Sequence, residues 1–222
     1  MNHPRPRRYD LIAFDWDGTL FDSTALIVRA IRAAFADVGA PVPEPAVAAE
    51  VIGLSLPVAL ARAMPGLEPA LYERVAQRYR HHWFASQHEV VLFDGVAELL
   101  QALKARNFWL AVATGKSRRG LDEALHSVGL TPVFDATRTA DETASKPHPR
   151  MLQELMREFG TEPERTLMIG DTTHDLQLAA NAGCDALAVS YGAHEVASFE
   201  GHAPRAVLHS VAELSDWLAA HA

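Results

Sequence analysis

Four short apolar runs constrain this chain more than any other feature in it. Residues 9–15, 107–113, 165–169 and 184–190 are each five to seven residues of mostly apolar character, ending in small or polar side chains. Runs of that length suit strands buried on both faces of a parallel sheet. Helical spacing follows at residues 96–106, 118–128, 149–159, 175–182 and 211–220. Strand followed by helix, repeated, predicts an α/β fold with a doubly wound, Rossmann-like parallel sheet and helices on both faces.

One stretch breaks that rhythm. Residues 25–38, 46–52, 56–64 and 67–84 all carry helical spacing with no convincing strand between them. Pro41, Pro43, Pro45, Pro57, Pro65 and Pro69 punctuate the stretch, mostly where a helix can start. The expected organisation is a discontinuous α/β core, residues 1–19 and 94–222, with an inserted all-helical domain over residues 20–93.

Composition narrows the function classes. Acids outnumber bases 28 to 20, giving a formal net charge of −8, which disfavours a nucleic-acid binder that would need a basic face. A single cysteine, Cys184, excludes an intrachain disulfide framework and a multi-cysteine zinc site. No apolar run approaches the roughly 20 residues of a membrane span. The leader Met1–Arg8 lacks the apolar stretch of a signal peptide, so the expected location is cytoplasmic, with Arg5, Arg7 and Arg8 read as a frayed tail. Oligomeric state is not legible.

In an open parallel sheet, ligands bind outside the carboxyl ends of the strands. Asp15 and Asp17, Thr114-Gly115, and Asp171 with Asp175 fall at such ends, and Lys146 lies in a loop that joins them. Several carboxylates beside one lysine are costly unless something neutralises them. A hard dication such as Mg2+, held by carboxylates, water and a substrate phosphate, does so.

Residues 15–23 (Asp-Trp-Asp-Gly-Thr-Leu-Phe-Asp-Ser), Ala113-Thr114-Gly115, Lys146-Pro147 and residues 170–175 (Gly-Asp-Thr-Thr-His-Asp) resemble, in order, the four motifs of the haloacid dehalogenase-like hydrolases. The phosphoglycolate phosphatase-like branch is the closest in appearance, and the helical insertion stands where that family carries its cap domain. The resemblance implies a magnesium-dependent phosphatase for a small phosphorylated metabolite, acting through an aspartyl-phosphate. Asp15 is then the nucleophile. Asp17 protonates the leaving oxygen and later takes a proton from water. Thr114, Gly115 and Lys146 hold the phosphate. Asp15, Asp171, Asp175 and the Asp17 carbonyl are the expected metal ligands, with Asp175 acting directly, by orienting a water, or as a helix-start acid.

A phosphosugar mutase or an inorganic pyrophosphatase of the same superfamily is the alternative. Residues 20–93 contain no lysine, which argues against a phosphonate-cleaving relative that needs one for a Schiff base and weakens the mutase reading. A signalling receiver would be shorter and lack the acid at Asp17. Among the remaining residues, His174 reads as an exposed first-turn histidine, and Cys184 as a small hydrophobe in a strand. His81 and His82 read as a helix face without a partner carboxylate. Lys116, Arg118 and Arg119 read either as a solvated helix start or as added positive potential near the site.

Overall fold

The computed structural model describes residues 7–222. Its sheet has six parallel strands in the order β3-β2-β1-β4-β5-β6. These are β1 (Leu11–Phe14), β2 (Trp109–Thr114), β3 (Ala136–Thr139), β4 (Thr166–Gly170), β5 (Asp185–Val189) and β6 (Val207–Leu208). The doubly wound expectation holds. The four apolar runs supply β1, β2, β4 and β5, while β3 and β6 are additions at the two edges.

Period-two alternation sorts the strand side chains between two layers. Ile12, Phe14, Leu110, Val112, Leu167 and Ile169 face α5 (Val96–Ala105), α6 (Arg118–Ser127) and α9 (Val211–His221). The other face is shallower: Leu11, Ala13, Ala111, Ala113 and Met168 meet α7 (Arg150–Phe159) and α8 (Thr173–Ala182). Alanines in β1 and β2 let Met151, Leu152 and Leu155 of α7 settle close to the sheet. Fully burying one such side chain stabilises the fold by roughly 1.5–3 kcal/mol.

Between β1 and α5 the chain forms only helices: α1 (Thr24–Asp37), α2 (Pro45–Glu50), α3 (Leu56–Ala63), α4 (Pro69–Ser86) and a short 3-10 turn. Pro45, Pro57 and Pro69 each occupy the first turn of a helix, where the missing N–H costs nothing. The chain leaves and rejoins the sheet at one place. Asp22 N donates to Val91 O at 2.9 Å and Phe93 N to Leu20 O at 3.1 Å. Phe21 also bridges to Asp17, which ties this crossing to the turn after β1.

Several residues depart from expectation. Arg7 is anchored, donating to Asp10 Oδ1 and to the Asn107 carbonyl, and Arg8 pairs with Asp185. Arg5 lies outside the described residues. Cys184 precedes β5 and is half-buried. His82 has a carboxylate partner after all, Asp37 at 2.8 Å across the α1–α4 contact. No helix among the described residues is long and apolar enough to cross a membrane.

Candidate active site

The strand order reverses at β1, the central position between β2 and β4, and the sequence motifs meet there. Asp15 follows β1, Thr114 ends β2 and Asp171 follows β4. Asp175 lies in the first turn of α8, where its Oδ2 accepts from both the N–H and the hydroxyl of Thr172 and so secures the helix start. Asp15, Asp171 and Asp175 are completely buried, and one carboxylate oxygen from each lies within 4.8 Å of the others.

Lys146 is placed against this cluster. Its Nζ stands 2.6 Å from Asp175 Oδ1 and 2.7 Å from Asp15 Oδ1, with the side chain sealed from solvent. Burial alone would lower its pKa; the charges of Asp15 and Asp175 overcome that and push it up to about 12. The acids respond in the opposite sense. Burial, reinforced by Asp175 and Asp171, holds Asp15 well above the usual carboxylate range against the pull of Lys146. Asp171 is raised to about 7, first by burial and then by Asp175.

This cluster has the character of a cation site. Three carboxylates against one ammonium leave two buried negative charges without compensation when all are ionised. Asp15 Oδ2 is fully enclosed and has no hydrogen-bond partner. Asp171 is held rigid by Thr19 Oγ1, which donates to Oδ1 at 2.8 Å, and by Ala193 N, which donates to Oδ2 at 2.7 Å. Gly18 makes room: its φ is +81°, and a Cβ there would lie 2.2 Å from Asp171 Oδ2.

Asp17 faces elsewhere. Trp16 between the two acids is fully buried, and Asp15 and Asp17 on either side of it meet different partners. The Asp17 carboxylate accepts from Ser23 Oγ at 2.6 Å and pairs with Lys116 Nζ at 3.1 Å, outside the three-acid cluster. Its side chain therefore looks onto an adjoining cavity. The Thr114 hydroxyl oxygen accepts from Lys116 N at 3.2 Å, which leaves its own hydrogen for an outside acceptor.

Sequence reasoning missed or misjudged some of this. Of the two readings of Lys116, added positive potential near the site is the one that holds: its side chain is largely enclosed, with the ammonium 3.9 Å above the Trp83 ring of α4. The available signal was lysine scarcity, since only Lys104, Lys116 and Lys146 occur and two of them are here. Arg118 does start α6 on the surface, paired with Glu142. His174 is buried, contrary to expectation, and donates from Nε2 to the Glu50 carbonyl at 3.0 Å. His194 donates to the same carbonyl at 3.1 Å, an arrangement no local pattern reveals. Gly115 lies under the segment between α2 and α3, where a Cβ would come within 2.5 Å of the Gly53 and Leu54 carbonyls.

With this geometry in view, the comparisons are concordant. Residues 12–189 match the family model described as haloacid dehalogenase-like hydrolase. The chain is 34% identical to a probable phosphatase, IndB, of Dickeya dadantii (strain 3937), over 96% of this chain and 94% of that one. It is 32% identical to a phosphoglycolate phosphatase of Aliivibrio fischeri (strain ATCC 700601 / ES114), covering 82% of this chain and 84% of the relative. A crystal structure of a predicted phosphoglycolate phosphatase from Haemophilus somnus 129PT superposes with a TM-score of 0.84 at 26% identity, over 94% of this chain and 97% of that one.

Proposed function

Because the chain belongs to the haloacid dehalogenase-like hydrolases, we propose that it is a magnesium-dependent phosphatase that hydrolyses a small phosphate monoester through an aspartyl-phosphate on Asp15. The observation that carries this reading is the enclosed, unpartnered Asp15 Oδ2 beside Asp171, Asp175 and Lys146. An unpartnered buried carboxylate oxygen is expensive as a structural element and useful as a nucleophile.

Asp15 attacks phosphorus. As its oxygen–phosphorus bond forms, the ester oxygen–phosphorus bond breaks and the electron pair departs with the ester oxygen. Asp17 gives that oxygen a proton, and the alcohol leaves. A water then attacks the aspartyl-phosphate, Asp17 takes its proton, and phosphate departs as the Asp15 carboxylate returns. Lys146 anchors Asp15 and offsets charge developing on the phosphoryl oxygens. The Thr114 hydroxyl and the backbone N–H groups around Gly115 hold those oxygens. Magnesium, held by Asp15, Asp171 and the Asp17 backbone carbonyl, would neutralise the buried acids and draw electron density from the phosphoryl group. Asp175, whose Oδ1 faces Lys146 and whose Oδ2 accepts from Thr172, would help hold the ion and orient the groups around it.

In this reading residues 20–93 form a cap over a core of residues 1–19 and 94–222, and its contacts at Gly115 and Glu50 are those of the closed state. Closure shields the aspartyl-phosphate, and reopening releases product. The partner is a small phosphorylated metabolite, with no nucleic acid and no membrane, in the cytoplasm. The test is a panel of phosphate esters and pyrophosphate assayed with magnesium and with excess chelator. Phosphate release from monoesters that stops in chelator supports the reading, and full turnover in chelator overturns it.

A further inference from the structure

Beside Asp17, between the helical segment and the sheet, lies a cavity of ≈ 530 Å³. That is within the range of pockets that enclose ring-sized organic ligands. Ile27 and Ile31 of α1 and Leu56 of α3 line one part, and Tyr79, Trp83 and Phe84 of α4 another.

The cations around it are already committed. Lys116 Nζ is paired with Asp17 on one side and lies on the Trp83 ring on the other. Arg80 and Arg119 are exposed, Arg119 paired with Glu123 at 2.8 Å and Arg80 3.7 Å from Glu73, so both offer only a solvent-screened charge. A leaving group bearing its own carboxylate would lose its water against apolar walls without gaining a free counter-charge, which is unfavourable. The aromatics divide similarly. Trp83 carries the Lys116 ammonium and Phe84 the Arg119 guanidinium, which leaves Tyr79 to receive a ring. Tyr79 lines the same cavity as the acid–base residue Asp17.

We infer that the leaving group of the substrate is an uncharged, ring-bearing alcohol seated against Tyr79, and that short phosphorylated acids such as phosphoglycolate are poor substrates. This rests on the phosphatase reading above, with Asp17 delivering a proton at the mouth of the cavity.

The experiment compares kcat/KM for benzyl phosphate, ethyl phosphate and phosphoglycolate in the presence of magnesium. Benzyl and ethyl alcohols are similarly poor leaving groups, so their difference reports the pocket. Benzyl phosphate should exceed both others by at least about tenfold. Phosphoglycolate turned over as well as or better than benzyl phosphate overturns the substrate class while leaving a working phosphatase. If no ester is hydrolysed, the phosphatase reading fails and this inference fails with it. Tyr79→Ala should lower the benzyl-to-ethyl ratio about tenfold, and Tyr79→Phe should keep it. A ratio unchanged in Tyr79→Ala overturns the seat assigned to the ring.

Discussion

Asp15 and Asp17 are two residues apart and meet different surroundings, and that difference can be read in variants. In the proposed mechanism Asp15→Asn removes the nucleophile, so no phospho-enzyme should form. Asp17→Asn keeps it and loses the proton donor and the base. With a nitrophenyl phosphate, whose leaving group needs little protonation, Asp17→Asn should load Asp15 and then stall. Intact-mass measurement after quenching should show one added phosphoryl group in Asp17→Asn and none in Asp15→Asn; equal labelling would reverse the assignment. In the same mechanism Lys116, paired with Asp17, would act through it as a positioning residue. Lys116→Met should lower kcat by about ten- to a hundredfold with little change in KM, and Lys116→Arg should restore part of it, whereas a purely structural role would lower Tm without this split. Asp15, Asp17, Thr114, Lys146, Asp171 and Asp175 were legible because each belongs to a short motif in a fixed order. Lys116 was legible only as one of two readings, because its enclosure depends on Trp83, which lies in another element and far away in sequence.

At the scale of elements, α2 is held to the start of α8 by His174 and His194, which share the Glu50 carbonyl. Both imidazoles are depressed below the ordinary 6.5, by burial first, with His174 at about 4. A depressed histidine binds its proton more readily unfolded than folded. The stability of this clasp is therefore present above pH 6.5 and lost as pH falls towards 4. Thermal melts across that window should fall more steeply for the wild type than for His194→Gln; parallel curves would show that the histidines do not titrate against folding. None of this was visible in the pattern, which placed His174 in solvent, because a buried helix start has no periodic signature. The edge strands escaped for a related reason. Ala-Thr-Arg-Thr in β3 is not an apolar run, and β6 is two residues long, so pairing with the sheet defines both of them. The central strands were legible because burial on both faces demands continuous apolar residues.

For the molecule as a whole, the buried acids set a cost that a bound divalent cation would remove. A ligand that binds only the folded state raises stability by mass action, so magnesium at a hundred times its Kd should add about 2.7 kcal/mol. Thermal denaturation should show Tm rising with magnesium in the wild type and a much smaller rise in Asp171→Asn; identical rises would place the ion elsewhere. One feature of the fold reaches beyond this chain's own chemistry. The helical segment begins and ends where Asp22 meets Val91 and Phe93 meets Leu20, so its two ends coincide. To the sheet, some seventy residues are topologically equivalent to a tight turn. Such a segment can be lengthened, trimmed or exchanged by recombination without disturbing a single strand. On the proposed reading, reaction and selectivity can then be inherited separately, the first fixed at the strand ends and the second free to drift.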